Sequence, residues 1–207
     1  MLNIRSSFTS YSWLEIIRTV CGVLSLIAVS FGLNIAFKTQ EIIRDEREMI
    51  SNLVVTTQIA SSQQLETELC ARIVHTYNSN PDIALEVITL AELNGVSPVI
   101  LSGLIGVESR FNPKAISVTN DWGLMQINKP IWSGNLKLTD QDLLDPRKNL
   151  EAGIKILTTY GISNYNSRDS EKSRQYINRV AIEAFKLSTS IPSKKAREAC
   201  RDAIKDN

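Results

Sequence analysis

Glu108 stands in the run Gly-Val-Glu-Ser-Arg-Phe-Asn-Pro at 106–113, and thirteen residues further on the chain reads Asp121-Trp122-Gly123-Leu124-Met125-Gln126-Ile127-Asn128. A single carboxyl at the end of an apolar helix, followed by a glycine-containing polar segment able to line a groove, suits proton transfer to a substrate oxygen. Other chemistries lack their parts. His75 is the only histidine and has no Cys, Asp or Glu at metal-ligand spacing, so a surface or satisfied-core histidine is expected, with no metal. No Ser-His-Asp or Cys-His arrangement and no phosphate-cradling loop is found, and no cofactor is expected. A net charge of +1 argues against nucleic acid as partner.

The helix that must position Glu108 is legible. Ser97 reads as an N-cap with Pro98 at the first helical position, where a missing N–H costs nothing. The helix runs from Val99 to Ser109 and must stop before Asn112-Pro113, because the residue ahead of a proline avoids the α region. Leu101, Leu104 and Ile105 precede Glu108 by seven, four and three residues, so the carboxyl shares their face. Partial desolvation there, with the negative end of the helix dipole, favours the protonated form that a general acid needs.

Residues 84 to 166 resemble the catalytic domain of bacterial lytic transglycosylases, within the lysozyme-like superfamily. The stretches that carry the resemblance are AELNGVSPVILSGLIGVESRFNPKAIS, DWGLMQIN, LLDPRKNLEAGIKIL and the Tyr165-Asn166 pair. The resemblance implies a mainly α, lysozyme-like helical domain that cuts the β-1,4 link between N-acetylmuramic acid and N-acetylglucosamine in peptidoglycan. It implies that Glu108 is the catalytic acid and base, and that Ser117 lies near the substrate. Gly123, Leu124, Met125 and Gln126 then line the groove, and Tyr165 matches the tyrosine of the family's Tyr-Asn motif, with Asn166 beside it. Glu108 would protonate the leaving oxygen and afterwards take the proton of the muramic acid 6-hydroxyl, closing an anhydro ring without water.

Two departures leave alternatives open. Asp121 ahead of Trp122-Gly123 also resembles the segment of animal-type lysozymes that bears their second carboxylate, so a retaining hydrolase using Asp121 is the second reading. Transglycosylases of secretion-apparatus type show an aspartate here too, and a turn residue capping backbone N–H groups would look the same. Tyr165-Asn166 follows Leu157 by only eight residues and lacks the usual glycine after it. A third reading is an inactive domain that binds glycan strands and scaffolds an assembly.

Residues 19–37 carry no charge over 19 positions. As a helix they would span about 28 Å, close to the ~30 Å hydrocarbon core of a bilayer. They read as a transmembrane signal anchor after an N-terminal segment 1–18, although Ala28-Val29-Ser30 could serve as a cleavage site. Arg5 and Arg18 lie before it and Lys38, Arg44 and Arg47 after it, too thin a bias to set orientation. Peptidoglycan as substrate sets it instead: a single-pass protein of the bacterial inner membrane with its domain in the periplasm, or a membrane protein of a phage virion. An envelope-spanning or virion assembly is the implied partner. Cys21 falls in the apolar run, while Cys70 and Cys200 flank the catalytic stretch and form a candidate disulfide, two free thiols being the alternative.

Residues 38–62 read as a helical stalk, with seven charges between 38 and 48, and Ser61 to Gln64 read as a break before a domain at 63–207. Ile42/Ile43 and Met49/Ile50 recur at seven residues, too briefly to define a coiled coil. Helices are predicted over Leu65–Asn78 and Asn80–Asn94, the second capped by Asn80 and ended by Gly95. Residues 168–207 hold ten Lys/Arg against six Asp/Glu, with Lys194, Lys195, Arg197 and Arg201 on a terminal helix. Strand signals are scarce, so at most a short β-hairpin is expected, around 117–128.

Overall fold

The computed structural model describes residues 13–166 and 169–206. The expectations for 1–12, Arg5 among them, lie outside these residues. The elements in chain order are α1 (Trp13–Tyr77), α2 (Pro81–Leu93), α3 (Pro98–Glu108), β1 (Asp121–Trp122), β2 (Ile127–Asn128), α4 (Lys129–Leu136), α5 (Asp140–Leu144), α6 (Pro146–Tyr160), α7 (Ile162–Tyr165), α8 (Ser170–Thr189) and α9 (Lys194–Asp206). The fold is mainly α, with one two-residue antiparallel hairpin pairing Asp121 with Asn128 and Trp122 with Ile127. The chain divides into two compact units, up to Ile59 and from Ala60 onward.

The first unit is the greater part of α1. Every described side chain in it is exposed, Leu24, Leu26, Phe31 and Leu33 among them. It holds a window of mean hydropathy 2.2, long and apolar enough to cross a membrane. The break expected at Ser61–Gln64 does not occur, and the helix continues through it. No Gly or Pro stands between Gly32 and Pro81, and Ser and Gln cost a helix only tenths of a kcal/mol.

The second unit is built around α3. Ser97 Oγ accepts from the N–H of Ile100 at 3.5 Å and Pro98 takes the first helical position, while the helix gives out at Ser109. Leu101, Leu104 and Ile105 are fully buried, each contributing roughly 1.5–3 kcal/mol by leaving water. Against them lie α2 and, most extensively, α8. Gly103 permits that approach: a Cβ there would stand 2.8 Å from Val180 O and Ala184 N of α8. Asn80 accepts from Asp82 N and starts α2, and Gly95 at φ 66° follows its C-cap Asn94.

Two cross-links hold α9 to the end of α1. Cys70 and Cys200 are joined by a disulfide with Cα atoms 6.0 Å apart, and Arg197 Nε pairs with Glu68 at 3.1 Å. Ala196 and Cys200 face inward while Lys194, Lys195 and Arg201 face solvent, so the cationic residues occupy the outer side of an amphipathic helix.

Candidate active site

Glu108 ends the apolar helix and is half-buried. The hydroxyl of Tyr176, on α8, donates to its Oε1 at 2.6 Å. Burial pushes the Glu108 carboxyl up to about 7, against the Tyr176 hydrogen bond, which favours the charged form. The charge of Asp121 raises it further and that of Arg179 lowers it. Near neutral pH this carboxyl is therefore divided between acid and carboxylate. Burial, and Glu108 next, hold the Tyr176 phenol far above its ordinary range, so Tyr176 remains a donor.

Asp121 is treated differently. Its Oδ2 accepts from Ser117 Oγ at 2.8 Å and Thr119 Oγ1 at 2.5 Å, and its Oδ1 accepts from Asn128 Nδ2 at 2.7 Å. Its own backbone N–H returns a bond to Ser117 Oγ at 3.0 Å. Burial works to raise its pKa, but the bonds from Thr119, Asn128 and Ser117 together outweigh burial and hold it below the usual value. Asn128 also caps α4 through Oδ1, accepting from Ile131 N at 3.2 Å, so one side chain fixes both the helix and the carboxylate. Lys129 Nζ lies 4.6 Å from the Trp122 ring centroid on the same hairpin.

Directly after Asp121 and Trp122, the loop 123–126 is held through its backbone groups. Gly123 takes φ 77°, and a Cβ there would overlap the amide of Asn149 and the carbonyl of Leu143. Asn149, a buried polar residue of α6, accepts from Met125 N at 2.8 Å and donates to Trp122 O at 2.9 Å and Leu143 O at 2.8 Å. The Tyr165 hydroxyl donates to Met125 O at 2.8 Å, and its ring stacks on Tyr176 with centroids 6.5 Å apart. Burial pushes its phenol well up, with Glu108 and then Asp121 adding to it. Gln126, at φ 48°, donates to Ala115 O and Gly123 O and closes the loop on itself.

The sequence-predicted residues thus fall into distinct places. Glu108, Asp121 and Tyr165 come together electrostatically, and Ser117 is bound to Asp121. Leu124 and Met125 have no exposed surface, so their side chains serve the core, and Met125 meets Tyr165 through its carbonyl. Asn166 is exposed at the C-cap of α7. Among the described residues no group of three or more His, Cys, Asp or Glu could hold a metal. Sequence reasoning missed Tyr176, Arg179 and Asn149. The first two lie far along the chain on a helix with no local motif. For Asn149 a signal existed, since it sits among the buried positions Leu150, Gly153 and Ile154 of an otherwise apolar helix face.

Chemically the pieces are a proton donor near neutrality, a locked carboxylate nearby and two phenols that stay protonated. Residues 87–175 match the family model described as Transglycosylase SLT domain. This stretch is similar to that family. The SLT match begins within α2, takes in Glu108, Asp121, Asn149 and Tyr165, and stops one residue short of Tyr176. At the level of the family, such domains are lytic transglycosylases acting on peptidoglycan. No curated protein matches the chain.

Proposed function

We propose that this protein is a membrane-anchored peptidoglycan lytic transglycosylase that opens the bacterial cell wall locally, with Glu108 as its catalytic residue. The observation that carries the reading is the half-buried Glu108 carboxyl, raised to about 7 inside the stretch similar to the SLT family. Such a group is an effective acid at neutral pH and, once it has given up its proton, an effective base.

In this reading Glu108 protonates the oxygen between N-acetylmuramic acid C1 and N-acetylglucosamine as that bond breaks. The same carboxylate then takes the proton of the muramic acid C6 hydroxyl, and O6 bonds to C1 to close the 1,6-anhydro ring. Glu108 ends protonated, as it began, and no water is consumed. The Tyr176 bond occupies Oε1, which leaves this proton traffic to Oε2. Three hydrogen bonds hold both Asp121 oxygens, an arrangement that suits a fixed charge better than an attacking nucleophile. Through Coulomb attraction that charge would favour the oxocarbenium-like transition state.

A hydrolase using Asp121 is the second reading, supported by the ionised state its hydrogen bonds maintain. Mass spectrometry of digested peptidoglycan separates the two. The proposal expects anhydro-muramic ends, and reducing muramic ends alone would overturn it. The apolar window of α1 fits a single span that holds the domain on the wall side of the inner membrane. Protease protection in oriented vesicles tests that arrangement.

A further inference from the structure

At the end of α3 remote from Glu108 the second unit keeps an open groove of about 400 Å³. It lies where the last turn of α2 and the end of α8 meet the start of α3 and the late turns of α1. Leu65, Leu69, Ile88, Pro98 and Val99 make its lining largely apolar, and Leu65 is 72% exposed. Solvent-facing leucine at the lip of an apolar recess costs free energy that a partner would recover.

The rim is acidic. Glu66 and Glu92 both line the groove, and burial raises the proton affinity of Glu66, with the Glu92 charge adding to it. Among the described residues neither carboxylate forms an ion pair. Glu92 lies in the last turn of α2, which has no basic residue although a helix C-terminus favours one. The cation lining the groove, Arg72, is already engaged: it pairs with Glu68 at 3.5 Å, and its Nη1 donates to the carbonyls of Leu187 and Ser188. The groove therefore offers apolar surface beside two carboxylates that form no ion pair among the described residues, with Arg72 turned to Glu68 and to the carbonyls of Leu187 and Ser188.

We propose that this groove binds a segment of a partner protein presenting lysine or arginine beside aliphatic side chains. Two or three aliphatic anchors at helical spacing would fill the recess, and the cation would sit between Glu66 and Glu92. Burial supplies the affinity, and the carboxylate pair selects the partner and sets its direction. Pro98 and Val99 open the helix that ends in Glu108, so a docked segment lies about 15 Å from the acid along α3. The partner could thus hold the protein in an assembly while the acid stays accessible.

The test uses the full chain in nanodiscs of zwitterionic lipid, with empty nanodiscs as blank. The probes are two fluorescein-labelled amphipathic helices of one pattern, leucine with lysine and leucine with glutamate. Anisotropy should show saturable binding of the lysine peptide and not of the glutamate peptide. Glu66→Gln with Glu92→Gln should weaken the lysine peptide at least tenfold, with no fall in melting temperature because a like-charge repulsion is removed. Glu66→Lys with Glu92→Lys should reverse the preference. Absence of binding, equal binding of both peptides, or a glutamine variant that binds like the parent would each overturn the proposal.

Discussion

Glu108 and Asp121 are the same functional group in opposite surroundings. Glu108 closes an apolar helix and accepts one phenolic hydrogen bond, and burial wins, so its proton is retained near neutrality. Asp121 opens a short hairpin and accepts from the Ser117 and Thr119 hydroxyls just before it and from the Asn128 amide across it, and hydrogen bonding wins, so its charge is kept. The comparison teaches that carboxyl chemistry here is set by the element beneath each residue. A packed helix end makes an acid, and a polar turn makes a fixed anion.

Changing either surrounding should move the chemistry in a calculable direction. The largest effect is expected for Glu108→Gln, which removes the donor and should lower wall-digesting activity by roughly 10²–10⁴-fold while glycan binding survives. Equal clearing by both proteins on a zymogram would exclude Glu108 as the acid.

The same variant should be more stable than the parent at neutral pH. The folded-state value of Glu108 is raised from 4.5 to about 7, so the native state binds its proton more tightly than the unfolded chain. The parent therefore loses stability as pH rises from about 4.5 to about 7, and Gln cannot. The gain should approach roughly 3 kcal/mol above pH 7 and vanish below about pH 4, measured by thermal melting at each pH.

For Asp121→Asn a loss clearly smaller than that of Glu108→Gln is expected, because a fixed charge is removed and not a reacting group. The alkaline limb of the pH–rate profile should also move to lower pH, since the Asp121 charge raises Glu108. A loss as large as that at Glu108 would favour the hydrolase. Smallest of all, Tyr176→Phe removes a bond that favours ionised Glu108, so that limb should move to higher pH with only a few-fold change in rate. A shift to lower pH would contradict the account of this pair.

Much of this contrast could be read along the chain, because the helix caps and apolar spacing around Glu108 are local. Ser97, Pro98, Leu101, Leu104 and Ile105 lie within eleven residues of the acid and specify its helix. Scarce strand signals allow at most a short hairpin around 117–128, and the structure has one pairing Asp121 with Asn128 and Trp122 with Ile127. Tyr176 was not legible, since only the docking of α8 on α3, through Gly103, carries it 68 positions back along the sequence to Glu108. Asn149 reaches the loop from α6 in the same way. Polarity at Ser61–Gln64 does not break α1, because neither Gly nor Pro stands there to end the helix.

The central claim concerns one proton. A carbon-13 NMR titration of glutamate-labelled full chain, with the Glu108 signal assigned by its absence in Glu108→Gln, measures it directly. The account predicts a side-chain carboxyl that titrates near 7 in the parent. A Glu108 signal already fully ionised at pH 5.5 would contradict it.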